Sequence, residues 1–328
     1  MLLALAITFT VTGFMSWWLA NARGSWQVLD LPNERSLHTR PTPRTGGIAI
    51  LLGTGSGLLA AWLLNGYTVV SLPLAAAVLV LTVIALLDDR HTLGAGPRML
   101  IQIGAVSLLL FTQQLPVSGS LTPVVALLFL VWMINLYNFM DGMDGFAAGM
   151  AIIGFGTFTL LAWQAGNMEL ALGCAILVAA CSGFLLLNFP PARLFMGDTG
   201  STVLGLLAGL VILRAHHEAI LPLWLGVLVF SPFIVDASVT LAFRVLRGEK
   251  FWLPHKKHSY QRLVELDWGH RRTVLAEYAL MIACSGTAMA AATRSLWSQT
   301  IIIAGWALLY GVLVYLIHRA ERRREPQT

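Results

Sequence analysis

The chain has 328 residues, of which 57% are hydrophobic and only 11% are charged, proportions that exclude an ordinary soluble domain of this length. The sequence pI of about 9.4 does not indicate nucleic-acid binding, because the basic residues flank apolar runs, as the topology determinants of membrane proteins do. The composition therefore predicts an integral membrane protein that lies among membrane lipids and binds no nucleic acid.

A bilayer span takes about 17–25 apolar residues, and on this basis we place eleven spans, of which the eighth is the shortest. They lie near residues 2–20, 46–64, 69–87, 98–115, 121–137, 145–163, 168–187, 200–214, 219–243, 274–292 and 299–318. The ninth run carries Pro222 and Pro232, which predict a kink. The predicted fold is therefore all-α: a polytopic membrane protein with about eleven transmembrane helices that form one domain, residues 1–328.

The basic residues predict the orientation of these spans. No Lys or Arg precedes the first run, and Arg23 follows it, which indicates a retained span with its N-terminus outside. Of the 21 Lys and Arg residues, only Arg214 and Arg294 then fall in outside segments. The C-terminus is predicted to be cytoplasmic. The long polar segments and the tail are also predicted to be cytoplasmic. They lie at about residues 21–45, 88–98, 137–145, 188–199, 244–273 and 319–328.

Acidic clusters end apolar runs on this predicted inner side. Asp88 and Asp89 follow the third run; adjacent carboxylates repel each other, and a hard divalent cation relieves that repulsion. The alternative is a plain polar stop at the helix end. Polar residues then recur at every third position, from the end of the fifth run onwards: Asn135, Asn138, Asp141 and Asp144. Neighbours in this series share a helix face, and the series is more polar than a simple helix-terminal turn requires.

The segment from Gly197 to Ser201 precedes the eighth run. Thr199 or Ser201 is predicted to cap that helix, whose free N–H groups would suit a phosphate. Asp198 beside such a site suits Mg²⁺ that bridges phosphate oxygens, whereas the alternative is a plain capping turn. Upstream, Asn188, Arg193 and Phe195 offer an amide, a guanidinium and an aromatic face to a nucleotide, although such aromatics also form membrane belts.

Two other features stay open at this stage. His255 and His258 lie among lysines in a loop that suits a diphosphate but also fits a solvated basic loop. Asp236 lies within the ninth run, where an unpaired carboxylate is unusual. It either faces the site or pairs with a residue such as Arg244. The three cysteines fall in apolar runs and are interpreted as small core residues.

Together these motifs resemble those of the polyprenyl-phosphate N-acetylhexosamine-1-phosphate transferases, the glycosyltransferase 4 family. The resemblance runs from about Asn33 to Arg272, with the motifs in the family's order. They are Pro-Arg-Thr-Gly-Gly at 43–47, Asp88-Asp89, the series from Asn135 to Asp144, Phe195-Met-Gly-Asp198-Thr-Gly-Ser and the His loop. The variants Asn-Leu-Tyr-Asn-Phe-Met-Asp-Gly and His-x-x-His-Ser-Tyr-Gln-Arg-Leu look most like the WbpL-like branch that starts O-antigen or other surface polysaccharides. The His loop departs from that of the peptidoglycan enzyme, which argues against a pentapeptide-bearing sugar.

The resemblance implies an enzyme of the bacterial inner membrane, multi-pass, with its active site at the cytoplasmic interface. It would transfer N-acetylhexosamine 1-phosphate from a UDP-sugar to undecaprenyl phosphate and release UMP. The sugar stays open between GlcNAc and a 6-deoxy relative such as FucNAc or QuiNAc. Mg²⁺ would be required, with Mn²⁺ as a substitute. The oligomeric state is open, a homodimer included.

The resemblance also assigns roles by position. Asp88 and Asp89 resemble the catalytic pair, and Asp198 with Asp88 the Mg²⁺ ligands. The positions that resemble the nucleotide-sugar and phosphate site are Arg44, Asn138, Asp141, Asp144, Asn188, Phe195, His255 and His258. The main alternative is a transporter or lipid flippase without transferase activity, but transporters bind near the midplane, whereas these clusters lie at helix ends.

Overall fold

The computed structural model describes residues 1–22, 28–32, 36–91, 93–112, 122–250 and 255–324. These residues form thirteen α-helices and one two-stranded antiparallel ribbon. The helices are α1 (Leu2–Asn21), α2 (Gly46–Asn65), α3 (Leu72–His91), α4 (Ala95–Phe111), α5 (Thr122–Phe139), α6 (Phe146–Gln164), α7 (Met168–Asn188), α8 (Asp198–His217), α9 (Leu223–Val229), α10 (Ser231–Leu246), α11 (Ser259–Leu263), α12 (Gly269–Ala291) and α13 (Leu296–Arg322). The ribbon pairs β1 (Leu29–Asp30) with β2 (Thr42–Pro43).

Nine helices in the described ranges are long and apolar enough to cross a membrane, with Ser259–Ala291 counted as one. The pair α9 and α10 makes ten if it is one span, and it bends by 86° at Phe230, next to Pro232 as predicted. Helix α4 has only 17 residues, about 26 Å at 1.5 Å per residue, which is short for a hydrocarbon core about 30 Å thick. A polytopic helical membrane protein is thus confirmed with nine to ten apolar spans, while the eleventh span and the orientation stay predictions.

Several helix ends differ from the predicted bounds. Helix α3 continues to His91, so Asp88 and Asp89 lie in its last turns rather than after it. Helix α8 begins at Asp198, two residues early. Charged residues end an apolar run in the sequence but do not end a helix when neighbouring elements supply them with partners. The predicted outside segment at 115–120 lies beyond the described residues.

The first helix packs against α2 and α7 through small residues. A methyl group at Gly53 would lie 1.7 Å from Thr12 Oγ1, and one at Gly183 would lie 2.6 Å from the carbonyl oxygen of Phe9. Small residues allow membrane helices to approach this closely, because lipid tails offer no hydrophobic gain for looser contacts. Helix α1 is therefore held by close backbone packing.

The core between α5, α6, α7 and α10 is aromatic and fully buried. Phe146 packs against Phe233 with ring centroids 4.7 Å apart, and Phe155 packs edge-on to Phe230 at 5.9 Å. The three cysteines, Cys174, Cys181 and Cys284, are free thiols buried in this core, which confirms their interpretation as core residues. The core fixes the helix ends on which the polar residues lie.

We expect Gly183→Ala to lower the thermal stability of the detergent-solubilised protein, because the new methyl group would press on the α1 backbone. Overpacking of this kind costs about 1–3 kcal/mol. Gly55→Ala on α2 is the matched control, since a methyl group there meets no atom within 4 Å. Equal unfolding temperatures for the two variants would contradict the close packing of α1.

Candidate active site

A polar cavity of about 120 Å³ lies at the end of the bundle where α5 ends and α8 begins. Ten charged, amide or aromatic side chains are among those that line it: Asp30, His38, Arg44, Asn138, Asp141, Asp144, Asn188, Phe195, Asp198 and His270. Seven of these were predicted from the sequence as site residues. The last turns of α3 place Asp88 and Asp89 next to these side chains, so the acidic clusters lie together at one site.

Two carboxylates converge on a single arginine in this site. Arg98 Nη1 lies 2.6 Å from Asp88 Oδ2 and 3.3 Å from Asp198 Oδ2. The other oxygen of Asp88 accepts a hydrogen bond of 2.6 Å from the Leu93 N–H. Asp88 and Asp198, 110 residues apart in sequence, thus share one positive charge.

The second carboxylate of the pair, Asp89, faces a different arginine. Asp89 Oδ1 lies 3.5 Å from Arg44 Nε, and Arg44 Nη2 donates to the Asp89 carbonyl oxygen. Asp89 Oδ2 accepts a hydrogen bond of 3.2 Å from Thr199 Oγ1. Thr199 is therefore used to hold Asp89 and does not cap α8. Ser201 donates to the Gly197 carbonyl at 3.1 Å, so the prediction that Thr199 or Ser201 caps α8 is wrong: Gly197 occupies the N-cap.

Gly197 has a conformation and a contact that require glycine. Its φ of +73° lies in the left-handed region, and a methyl group there would lie 2.4 Å from the Arg44 carbonyl oxygen. Nearby, Phe195 N–H donates to the Pro43 carbonyl at 2.8 Å, and Gly46 N–H donates to the Phe195 carbonyl at 2.9 Å. The segments 43–47 and 195–197 are thus joined backbone to backbone; we call this pairing the backbone clip.

The end of α5 and the residues that follow it also line the cavity. Asn138 Nδ2 donates to Ser201 Oγ at 3.0 Å, which ties the end of α5 to the first turn of α8. Asp141 follows, and burial, reinforced by the carboxylates of Asp198 and Asp89, raises the pKa of Asp141 well above its usual range. Charge crowding in this cavity therefore extends beyond the Asp88–Asp198 pair.

The far wall of the cavity is held by Asp144 and Asn188. Asp144 Oδ2 accepts the Ala192 N–H at 3.0 Å, and Asp144 Oδ1 lies 3.2 Å from His270 Nδ1. Asn188 accepts the Gly145 N–H at 3.0 Å and donates to the Leu194 carbonyl at 2.9 Å. Both ends of the Asn188 amide thus orient backbone, and its contact with a base stays a prediction.

An aromatic face opens on the cavity at Phe195. The His38 ring packs edge-on against it, with centroids 4.9 Å apart, and His38 Nε2 lies 3.9 Å from Asp30 Oδ2. The other face of the cavity carries His270, whose Nε2 lies 3.2 Å from the Leu37 carbonyl oxygen. Phe195 is therefore placed where a planar base could stack.

The structure resolves the position of Asp236, which the sequence left open. Asp236 Oδ1 accepts the Ser259 N–H at 2.8 Å, and Asp236 Oδ2 accepts the Tyr260 N–H at 3.3 Å. His258 Nδ1 lies 3.7 Å from Asp236 Oδ1. The carboxylate thus holds the start of α11 and pairs neither with Arg244 nor with the cavity. Arg244 instead pairs with Glu249 at 3.0 Å.

The two predicted loop histidines do not line the described cavity. His258 is buried against Asp236, and the His255 ring lies 4.8 Å from that of His258. The loop nevertheless borders the site, because the Tyr260 hydroxyl donates to the Phe139 carbonyl at 3.3 Å and touches Gly142. A phosphate contact by His255 or His258 stays a prediction.

Four residues of the site were missed in the sequence: Asp30, His38, Arg98 and His270. Arg98 lies in the first turn of α4, and a lone cation so soon after Asp88-Asp89 was a usable signal. The role of His270 depends on a contact with Asp144, 126 positions away, for which a single sequence carries no signal.

The acidic residues fit a hard cation. Asp88 and Asp198 already hold a positive group between their oxygens, and buried Asp89 Oδ1 accepts no hydrogen bond from any described residue. No group of three or more His, Cys, Asp and Glu side chains in the described ranges forms a complete metal cage. Mg²⁺ does not need one, because it is usually bound by one or two carboxylates together with substrate phosphates and water.

The fold and the site together define a class of protein. It is a multi-pass helical membrane protein with an acidic site that fits a cation and lies beside an aromatic face. Residues 71–216 match glycosyl transferase family 4. The chain is 30% identical to the decaprenyl-phosphate N-acetylglucosaminephosphotransferase of Mycolicibacterium smegmatis, over 98% of this chain and 88% of that protein. It is 28% identical to the "Probable undecaprenyl-phosphate N-acetylglucosaminyl 1-phosphate transferase" of Bacillus subtilis, over 84% and 80%. It is 33% identical to the phospho-N-acetylmuramoyl-pentapeptide-transferase of Moorella thermoacetica, over 74% and 81%. The chain belongs to glycosyl transferase family 4.

We expect His255 to be neutral at pH 7. Burial, and then the neighbouring His258, Arg244 and Lys257, lower the pKa of His255 from 6.5 to about 4. The unfolded chain then binds more protons between these values, so this group's contribution to stability is complete above pH 6.5 and falls as the pH drops towards 4. Histidine NMR titration, with the signal assigned by its loss in His255→Gln, checks this. A midpoint near 6.5 for that signal would contradict the buried setting.

Proposed function

We propose that this protein transfers N-acetylhexosamine 1-phosphate from a UDP-sugar to undecaprenyl phosphate, releasing UMP, at the cytoplasmic face of a bacterial inner membrane. The convergence of Asp88 and Asp198 on the Arg98 guanidinium carries this proposal. A point where two carboxylates hold one cation, at the end of an apolar bundle, suits a diphosphate whose charge is neutralised by Mg²⁺. The family relationship supports the same reaction type.

Phosphoryl transfer depends chiefly on alignment and charge neutralisation, since there is little covalent chemistry for the protein to perform. Asp88 and Asp198 would hold Mg²⁺, which neutralises the diphosphate when bound. Arg44, beside Asp89, and Arg98 are placed to bind phosphate oxygens. Phe195 would stack on uracil, while Asn138, Asp141 and Asp144 would line the nucleotide-sugar side.

The reaction needs no strong general base. The second pKa of a phosphate monoester is about 6, so the lipid phosphate is mostly dianionic at neutral pH. Its oxygen attacks the sugar-bearing phosphorus and forms the new P–O–P bond. The bond from that phosphorus to the oxygen bridging to the uridylyl phosphorus breaks, and UMP leaves with this oxygen. Asp88 would orient the acceptor or take any residual proton.

The cavity must open before a UDP-sugar enters. Its volume of about 120 Å³ is below the range of roughly 300–1,000 Å³ that small-molecule sites usually have. The wall that contains the Asp144–His270 contact of 3.2 Å consists of side-chain contacts, which separate at less cost than backbone ladders. We propose that this wall moves.

We propose UDP-GlcNAc as the first donor to test, since the names of the Mycolicibacterium smegmatis and Bacillus subtilis relatives contain that sugar. UDP-FucNAc and UDP-QuiNAc are the 6-deoxy alternatives. The product would start O-antigen or another surface polysaccharide. The site does not favour transport, because Asp88, Asp89, Asp141, Asp144 and Asp198 lie together at one end of the bundle rather than near its middle. Asp236, within α10, holds the start of α11.

Purified protein with undecaprenyl phosphate and this donor panel is expected to release UMP with Mg²⁺ and not with EDTA. Asp198→Asn should lower the rate by about a hundredfold or more, the scale for loss of one electrostatic group at a reacting centre. Asp267→Asn is the matched control: Asp267 lies at a φ of +64°, which asparagine adopts readily, and it is 83% exposed. Absence of UMP with every donor, from folded protein, would refute the transferase.

The direct attack makes a second prediction. Labelled UMP should not exchange into UDP-sugar when lipid acceptor is absent, because no covalent enzyme intermediate forms. Exchange without acceptor, abolished in Asp88→Asn or Asp89→Asn, would establish a covalent aspartyl intermediate and exclude the one-step reaction.

A further inference from the structure

An apolar groove of about 740 Å³ separates α10 from α13, away from the acidic site. Val239 and Phe243 of α10 form one wall, and Ala307, Gly311 and Val314 of α13 form the other. Apart from Gln299, no residue of α13 is buried. This helix therefore leaves much apolar surface uncovered by the rest of the described chain.

One end of this groove is basic. Arg247, Arg319 and Arg322 line it there. In the part of the chain that the structure describes, none of the three has an acidic partner, whereas nearby Arg262 pairs with Glu321 at 2.7 Å. The groove thus ends in positive charge that the described residues do not neutralise.

Apolar walls with a basic end fit an amphiphile that has a hydrocarbon chain and an anionic head. We infer that the groove binds one anionic phospholipid, with an acyl chain along α13 and its phosphate against Arg247, Arg319 and Arg322. Guanidinium groups bind phosphate oxygens with paired hydrogen bonds, and clustered Arg residues at a membrane surface recognise anionic lipids.

The length of the groove favours a phospholipid over a polyprenyl tail. Its apolar part runs from Ala307 to Tyr315, about 12 Å of helix at 1.5 Å per residue. That is close to one leaflet, about 15 Å or half of the hydrocarbon core, so a chain confined to one leaflet fits. The groove also shares no lining residue with the acidic cavity, where the phosphate of the lipid acceptor would have to be.

A second copy of the chain fits less well. Copies in one membrane share their orientation, and an isologous contact places the same patch on both subunits. The arginines at the groove end of one copy would then face those of the other, and like charges repel. A lipid phosphate would instead neutralise part of the positive charge of these arginines.

Gly311 allows a test that keeps every charge. A Cβ atom at Gly311 would meet no atom within 4 Å, so the larger side chain of Gly311→Phe is expected to enter the groove from an open position. Gly305→Phe is its control, since Gly305 is equally open on the same helix but does not line the groove. Arg319→Gln/Arg322→Gln removes the charge, and Arg323→Gln is the control for charge at the same helix end.

The measurement is native mass spectrometry of purified protein titrated with phosphatidylglycerol or phosphatidylcholine. We expect one phosphatidylglycerol to be retained in preference to phosphatidylcholine. At about 1 kcal/mol per basic residue, the double arginine variant should bind about 30-fold more weakly, and Gly311→Phe should lose the lipid while both controls keep it.

Three outcomes would overturn the inference. If phosphatidylcholine were retained as well as phosphatidylglycerol, the arginines would have no role in selecting the lipid. Displacement of the lipid from wild type by undecaprenyl phosphate, which wild type then retains and Gly311→Phe does not, would assign the groove to the acceptor. A dimer that dissociates in Gly311→Phe, without lipid loss, would make the groove a contact between copies. None of these readouts uses transferase activity, so the result is independent of the proposed reaction.

Discussion

Repulsion among carboxylates at one end of an apolar bundle is the constraint on which the site depends. Asp88, Asp89, Asp141 and Asp198 lie too close together to carry four uncompensated charges, since burial strengthens their repulsion. Arg98 offsets it between Asp88 and Asp198, and Arg44 offsets it at Asp89. The protein thus holds a charge pattern that, under the proposed function, a cation and a diphosphate would complete. The helix ends stay together because the arginines occupy that place.

Backbone contacts, more than side chains, explain why the sequence motifs are glycine-rich. The segments 43–47 and 195–197 meet through peptide N–H and carbonyl groups, and a methyl group at Gly47 would lie 2.3 Å from the Gly200 nitrogen. Side chains there would force α2 and α8 apart. The glycines therefore act on the active site indirectly, by letting Arg44 and Asp198 reach the same cavity.

The sequence predicted the helical membrane fold and most of the acidic site, because apolar length and clustered carboxylates are local signals. It missed Arg98, whose closeness in sequence to Asp88-Asp89 went unused, and His270, whose role arises from a contact across the fold. It also left Asp236 undecided, since a carboxylate that holds another helix's N-terminus looks the same in sequence as one that faces a site. The capping prediction for Thr199 was wrong for a related reason. The local sequence favoured a helix cap, but the Thr199 hydroxyl donates a hydrogen bond to Asp89 instead.

The two walls of the cavity differ in how they are held, and this has a consequence for evolution. One wall is the backbone clip, which is held by peptide hydrogen bonds and ends beside Asp198. The other contains Asp144 and His270 and is held by single side-chain contacts such as the one between them. Substitutions in that wall would reshape the cavity and leave the backbone clip unchanged. Under the proposed function, a few changes there would be enough for a new donor preference to arise in evolution.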